Sequence, residues 1–420
     1  DIQAIDKLPS WHDVSPRLGA AYDIFGNGKT ALKFQFGRYV VAEGTGIARA
    51  VNPSNTISSR GDRTWNDQMF GVGDPRSGNY VPDCDLLNRS ANGECGLIGN
   101  RAFGTAVITS RLSNDVTQGF GVRPYDWQTS VGVQHELFPG TSVEVGYFRT
   151  SFGNFSVADN LAVAPGNYDP FCVTAPADAR LPGGGGNQIC GFYDINPSRF
   201  GQFDTLVNLT DQYGNDRSEV YNGVDFSFRS RFNQRGLLQG GVSIGRTVLT
   251  NCITVDVPNA ARAASPGVAA QPGDYCEVTP PWGADSSVKL STVYPLPYDI
   301  QVAATYQNLP GVQRLATAVF PSSAVRASLG RDLAAGPGGT VQVDLIKPGT
   351  LYDERINQID FRVNKTIKIG NKRLQGMLDI YNIMNANTVT GAVNNFGPAW
   401  LRATQVMGGR LFKLGAQFDF

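Results

Sequence analysis

Eleven stretches of this chain alternate apolar and polar residues, and the links between them are short and long in strict turn. The stretches are centred on Leu18–Ile24, Leu32–Phe36, Trp127–Val133, Val143–Tyr147, Val224–Phe228, Val242–Ile244, Val288–Tyr294, Ile300–Tyr306, Ile359–Ile367, Leu374–Ile380 and Phe412–Phe420. Successive side chains on a strand point to opposite faces, so each stretch has one apolar face and one polar face. The short links are the turns GNGK (26–29), FPG (138–140), NQRG (233–236), PLP (295–297) and IGNK (369–372). The long ones lie near 42–124, 153–217, 249–283, 309–354 and 384–409. Strands joined this way form an antiparallel sheet with every short turn at one end. A soluble sandwich shares the alternation but seldom the strict exchange of short and very long connections. The pattern predicts an all-β chain: a transmembrane antiparallel β-barrel over 15–420, with tight periplasmic turns, long extracellular loops and an apolar face toward lipid. Each strand has about the 9–11 residues that cross a bilayer with tilt. Such a sheet must close, because lipid offers no partner to an unpaired backbone edge.

Other architectures are excluded by what the chain lacks. No run of roughly 18 apolar residues occurs, so a membrane-crossing helix is ruled out. The formal net charge is zero, which leaves no basic footprint for nucleic acid. The opening DIQAIDKLPSWHD has no apolar core of a signal peptide. Either the chain is cytosolic or its beginning has been removed, and the cysteines point to the second. Cys84 and Cys95, Cys172 and Cys190, and Cys252 and Cys276 fall as three local couples, each inside its own long, Gly/Pro/Asn-rich connection. Even numbers of cysteines in such loops read as disulfides of an oxidising compartment, with the local pairing favoured.

The polar positions of the strands carry charge. Asp225, Arg229, Arg231, Lys289, Asp360, Arg362, Asp379, Lys413 and Asp419 are the candidates to face the barrel lumen. The bland reading, ion-pair ladders between neighbouring strands, is favoured over contact with a substrate. Aromatics near strand ends, among them Tyr125, Trp127, Tyr147, Tyr294, Tyr298, Phe412, Phe418 and Phe420, suit the girdles at the two membrane borders.

Parity sharpens the expectation. Single-chain bacterial barrels have even strand numbers and both ends in the periplasm. Eleven strands, the last descending, place residues 1–14 as a segment that enters from an extracellular loop. The chain is then expected to be the C-terminal half of a larger barrel, since eleven is half of the roughly 22 strands of plugged outer-membrane transporters. A further strand at AVITSRL (106–112) would weaken that argument.

Particular residues then become familiar. DVSPRLGAAYDIFGNGKTALKFQFGRY (13–39) resembles the mid-barrel hairpin of TonB-dependent receptors. PGTLYDERINQIDFRVNKTIKIGNKRLQGMLDIYNIMNANTV (348–389) and NNFGPAWLRATQVMGGRLFKLGAQFDF (394–420) resemble their C-terminal strands, in the group with a carboxypeptidase-regulatory-like N-terminal domain. Loops 42–124 and 153–217 resemble nothing nameable. The resemblance implies a signal peptide, a small β-sandwich domain, a TonB box, a plug and the remaining strands, all outside this chain. It implies partners: outer-membrane lipid, the rest of the barrel and its plug, TonB, and an extracellular ligand. It also implies that Phe420 and its alternating neighbours are read by the barrel-insertion machinery.

Catalytic constellations are weak. His12 precedes the first strand and His135 shares the Trp127/Val131 face, so no Ser/His/Asp set assembles and no enzyme is expected. GGGG (183–186) is followed by neither Lys nor a helix start, so it reads as a flexible tip and not a phosphate loop. No cofactor is expected. No metal site is expected either, although Asp83 and Asp85 beside Cys84 make a loop calcium site conceivable. The leading function is TonB-dependent, energy-coupled uptake of a ligand captured by the extracellular loops. The alternatives are a surface scaffold or export partner, and a small passive pore.

Overall fold

Eleven antiparallel strands run side by side in chain order, in a computed structural model of the chain. The structure describes residues 8–52, 67, 69–88, 90–95, 104, 110–200, 202, 204–214, 217–232, 236–253, 255–256, 258, 273–334, 336–337 and 339–420. The wall strands are β1 (Arg17–Asp23), β2 (Thr30–Val40), β3 (Tyr125–Phe138), β4 (Thr141–Gly153), β5 (Arg217–Phe232) and β6 (Gly236–Asn251). They continue as β7 (Ser287–Leu296), β8 (Ile300–Leu309), β9 (Ile356–Ile369), β10 (Lys372–Tyr381) and β11 (Leu411–Asp419). Each pairs with its chain neighbours, and a two-residue strand, Glu277–Val278, adds to the upper end of β6. Among the described residues no helix is long and apolar enough to cross a membrane.

Turn chemistry sets the register. The link between β9 and β10 is only Gly370 and Asn371, and Gly370 takes φ +62°. Two-residue hairpins favour such left-handed turns because their twist matches that of the strands. Between β7 and β8 the same role falls to Tyr298 and Asp299, at φ 66° and 55°. Tyr298 thus sits in the turn itself and not on a strand. β7 also runs through Pro295 to Leu296, so the link, Pro297 to Asp299, lies two residues later than PLP suggests. β5 and β6 reach 16 residues each, longer than a bilayer crossing needs, and β1 has 7. Their extra length carries β5 and β6 past the apolar band toward the long connections.

The distribution of apolar residues is reversed from that of a water-soluble sheet. Every buried hydrophobic residue among those described lies outside the eleven wall strands. The wall instead exposes Leu18, Tyr22, Phe34, Val131, Val133, Val145, Tyr147, Val224, Phe226, Ile244, Leu290, Phe412, Leu414 and Phe418. Cross-strand register puts these on one face; for example Val131, Tyr147, Val224 and Ile244 form a single row. A continuous apolar face on a sheet this wide demands a non-aqueous solvent.

A second core lies at the long-connection end. The hairpin Tyr168–Thr174/Gln188–Ile195, the unit Thr317–Pro321, Ser322–Leu329 and Thr340–Asp344, and the turn around Trp400 share one apolar cluster. Phe171, Val173 and Phe192 come from the first, Ala318, Phe320, Val325 and Val343 from the second, and Trp400 from the third. Three of the long connections thus fold together as a cap. Arg331 fastens it, donating to Asp169 (2.6 Å) and Asp194 (2.5 Å) on the hairpin. The three disulfides are Cys84–Cys95, Cys172–Cys190 and Cys252–Cys276. Of AVITSRL, residues 106–109 lie outside the described ones, and Ser110–Leu112 pairs with Thr205–Leu209 of another connection, not with the wall.

Candidate functional site

The polar face of the wall is built by the same period-two pattern that builds the apolar one. All nine charged candidates fall on it by register. They are not one cluster. Arg362, Asp379 and Lys413 stand in one row across β9, β10 and β11. The Arg362 guanidinium grips both carboxylate oxygens of Asp379, the second through Nη2 at 2.9 Å. This two-pronged geometry is what makes Arg–carboxylate pairs directional. Asp360 accepts from Gln358 (2.9 Å) and from the Asn382 backbone (2.8 Å), Asp225 from Ser243 (2.6 Å), and Asp419 from Gln417 (2.9 Å). A further pair, Lys33 with Glu144 at 3.0 Å, reaches over the bare Gly132 of the intervening strand.

Four of the five candidate cations form no ion pair among the described residues: Arg229, Arg231, Lys289 and Lys413, the last standing beside the Arg362–Asp379 pair in its row. Arg229 and Arg231 line a concavity of about 380 Å³ at the short-turn end, with Lys29, Gln134 and Glu136. Arg229 also borders a shallow hollow of about 460 Å³ with Lys289 and Gln307. The ladder reading therefore applies to Arg362–Asp379, and not to these four.

A cavity of about 520 Å³ lies where the upper wall meets the long connections. Its wall side is Arg217, Glu219, Thr247 and Asn251; its loop side is Tyr275, Val278, Gln313 and Tyr352. Arg217 lies 3.6 Å from Glu219 and stacks on Phe155, its guanidinium 4.3 Å from the ring centroid. Burial and the negative charge of Asp285 push the Tyr352 phenol above its ordinary range, so it stays a neutral donor. Gln313 and Tyr352 face each other in a backbone bridge, which fixes both side chains at the rim. Amides, phenols and one screened ion pair against apolar walls suit a polar, uncharged or weakly charged ligand.

Within the connection that follows β4 there is a buried carboxyl. Asp159 is 2% exposed and accepts from the Asp256 backbone (2.9 Å) and Tyr213 (3.3 Å). Burial, then the nearby Asp256 charge, raises its pKa above the usual carboxylate range. The exposed pairs behave oppositely: Arg76 holds Asp74 down to about 2, and Arg180 holds Asp178 down to about 2.

Other sequence candidates divide. Trp127, Tyr147, Tyr294, Phe412 and Phe418 lie on the apolar face, and Phe420 follows β11 at 94% exposure. His135 meets Thr30 (2.8 Å) between strands, and His12 belongs to a short strand beside Gln118–Phe120. Asp83 accepts from Asn79 and Asp85 from the Leu87 backbone, both as turn-forming residues. Among the described residues no three His, Cys, Asp or Glu are gathered to hold a metal. Within GGGG only Gly185, at φ +70°, is crowded, pressing so close to the Pro176 carbonyl that a side chain would collide with it; Gly183, Gly184 and Gly186 face open space. Sequence reasoning missed Arg217, Tyr275, Gln313 and Tyr352, which only the fold brings together. It also passed over Arg149 and Arg246, which interrupt the apolar parity of β4 and β6 and were open to detection.

A family model described as an outer membrane beta barrel domain matches residues 7–242. No curated protein matches the chain. Solved structures similar to it include the outer membrane transporter YddB from Escherichia coli, at 12% identity and TM-score 0.44, covering 97% of this chain and 40% of that one. The siderophore receptor PirA from Pseudomonas aeruginosa shows 9% identity and TM-score 0.34, with 96% and 41% covered. The ferripyoverdine receptor of the outer membrane of Pseudomonas aeruginosa, bound to ferripyoverdine, shows 9% and 0.42, with 97% and 33% covered. The chain spans about two fifths or less of the length of these three.

Proposed function

Because the chain belongs to the outer membrane beta barrel domain family, we propose that it forms the ligand-capturing wall and cap of an energy-coupled outer-membrane transporter. The observation that carries this reading is the cap: three long connections share one buried core, and a cavity of about 520 Å³ lies where the upper wall meets the long connections. A passive pore needs an open mouth, not a roof with its own core. Ligand would enter between Arg217 and Tyr352, lose water there, and be handed to the polar face below. That face has, among the described residues, cations without an ion pair at the short-turn end and a fixed Arg362–Asp379 pair nearer the cap. The nine polar-face charges then line the lumen, and the aromatics on the other face form the girdles.

The reading includes parts outside this chain. In the order of the sheet, β1 and β11 are the two ends. Lipid leaves no partner for a free edge, so further strands close the barrel. A plug within it and TonB acting from the periplasm supply the coupling, as the resemblance of residues 348–420 implies. Two measurements test the proposal on the whole protein extracted from outer membranes. Intact mass without boiling should show a folded species roughly twice this chain or more; a heat-modifiable species of this chain's own mass would give the lead to a passive pore. Uptake of the captured ligand should also stop when the membrane potential is dissipated, while binding persists. Binding without any energy-dependent uptake would favour a surface scaffold.

A further inference from the structure

The lipid-facing side of the wall carries a row that breaks its own pattern. On β4, Val143, Val145 and Tyr147 point outward, and the next outward residue is Arg149. On β6, Val242 and Ile244 point outward, and the next is Arg246. Between them on β5 is Asn222, in register with both. Two guanidinium groups therefore flank one amide on a surface that is otherwise apolar below it.

Their height is informative. Asn222 is ten residues above Phe232, the short-turn end of β5. At about 3.3 Å per residue and a tilt near 40°, that is roughly 25 Å, the height of the apolar band of such barrels. The row thus sits at the extracellular border of the membrane, where headgroups begin. Arg149 is exposed and donates to Asn222 Oδ1 at 2.9 Å; Tyr147 donates to the same oxygen at 2.7 Å. Arg246 is half-buried, stacks 4.5 Å from the centroid of the Trp282 ring and donates to the Pro280 carbonyl at 3.4 Å. Neither arginine forms an ion pair among the described residues. Trp282 is 43% exposed beside them, as an indole at a membrane border should be. A cation on a lipid-facing strand is costly at mid-depth and nearly free at the border, where it meets an anionic headgroup.

We propose that Arg149 and Arg246, braced by Asn222 and Trp282, clamp a phosphate group on the headgroup of an outer-leaflet glycolipid. The guanidinium fork matches phosphate oxygens two at a time, and Tyr147 and Trp282 pack the sugar and upper acyl region. The site is on the outside of the barrel and does not depend on transport.

The test uses the whole protein, extracted folded and stripped of lipid, then mixed in detergent with bisphosphorylated lipid A. Native mass spectrometry counts the bound lipid. Wild type should retain a lipid A adduct, and Arg149→Gln with Arg246→Gln should lower its occupancy roughly tenfold or more, as loss of charge-assisted bonds requires. Heat-modifiable migration on gels checks that the variant is folded. Trp282→Ala, on a connection outside the wall sheet, should weaken retention without touching the wall. Unchanged occupancy in both variants overturns the proposal. So does equal binding of the dephosphorylated glycolipid. Displacement of lipid A by millimolar inorganic phosphate would identify a free-phosphate site and overturn the lipid assignment.

Discussion

At the scale of the residue, single side chains decide where this molecule meets water, lipid or its own core. Trp400 is 2% exposed, packs at a tilt against Phe396 and donates its indole N–H to the Leu315 carbonyl at 2.8 Å. Trp400→Ala should cost the cap about 3–5 kcal/mol, as large-to-small core changes do, and leave the wall intact. Faster hydrogen exchange in 317–344 with unchanged exchange in β9 and β10 is the expected signature. Asp159 makes a pH prediction. Its folded pKa is raised, so the folded cap binds the proton more tightly than the unfolded chain does. Its contribution to stability is full below the unfolded carboxylate pKa, near 3.9, and is lost as pH rises through the folded value. Asp159→Asn should flatten that dependence in hydrogen exchange of 156–160, and an unaltered pH slope would refute the assignment. Trp400 had no periodic signal in sequence, since its partners come from three distant connections; Arg149 and Arg246 did, as breaks in an apolar parity.

At the scale of the element, the strands were legible and the connections were not. Period-two alternation located every wall strand, because each strand satisfies its own pattern against whatever solvent it meets. The connections have no such period. Phe171 and Phe192 oppose each other in a bulged hairpin, and Val325 lies on an eight-residue helix, so their common burial follows from tertiary packing alone. The polar face was legible as a face, but the pairing of its charges depended on register: Arg362 pairs with Asp379, while Arg229 and Arg231 pair with no carboxylate among the described residues. Asp379→Ala should leave the Arg362 guanidinium without its two acceptors and cost roughly 1–3 kcal/mol, read as a lower midpoint in the thermal unfolding of the wall in detergent. Among the stapled elements, replacing both Cys172 and Cys190 by Ser opens a loop with a sequence separation of 18 residues. The chain-entropy estimate for such a loop is about 3 kcal/mol, so this double variant should raise proteolysis of 168–195 selectively.

At the scale of the whole molecule, two solvents shape one chain. The wall turns its apolar residues outward, and the cap turns its apolar residues inward. Urea, which solvates exposed apolar and peptide groups, should therefore melt the cap at a concentration that leaves the detergent-held wall folded. Two separated transitions, one in tryptophan fluorescence and a later one in far-ultraviolet circular dichroism, are expected; a single coincident transition would mean that cap and wall unfold together.

The shared core of the cap also has a consequence for inheritance. Three segments far apart in sequence, 153–217, 309–354 and 384–409, hold one another's apolar residues. A recombination that replaced one of them alone would leave Phe192, Val343 or Trp400 facing a stranger. Specificity in such a chain cannot be traded one loop at a time: the three travel as a set, and a chimaera that keeps its fold must carry them together.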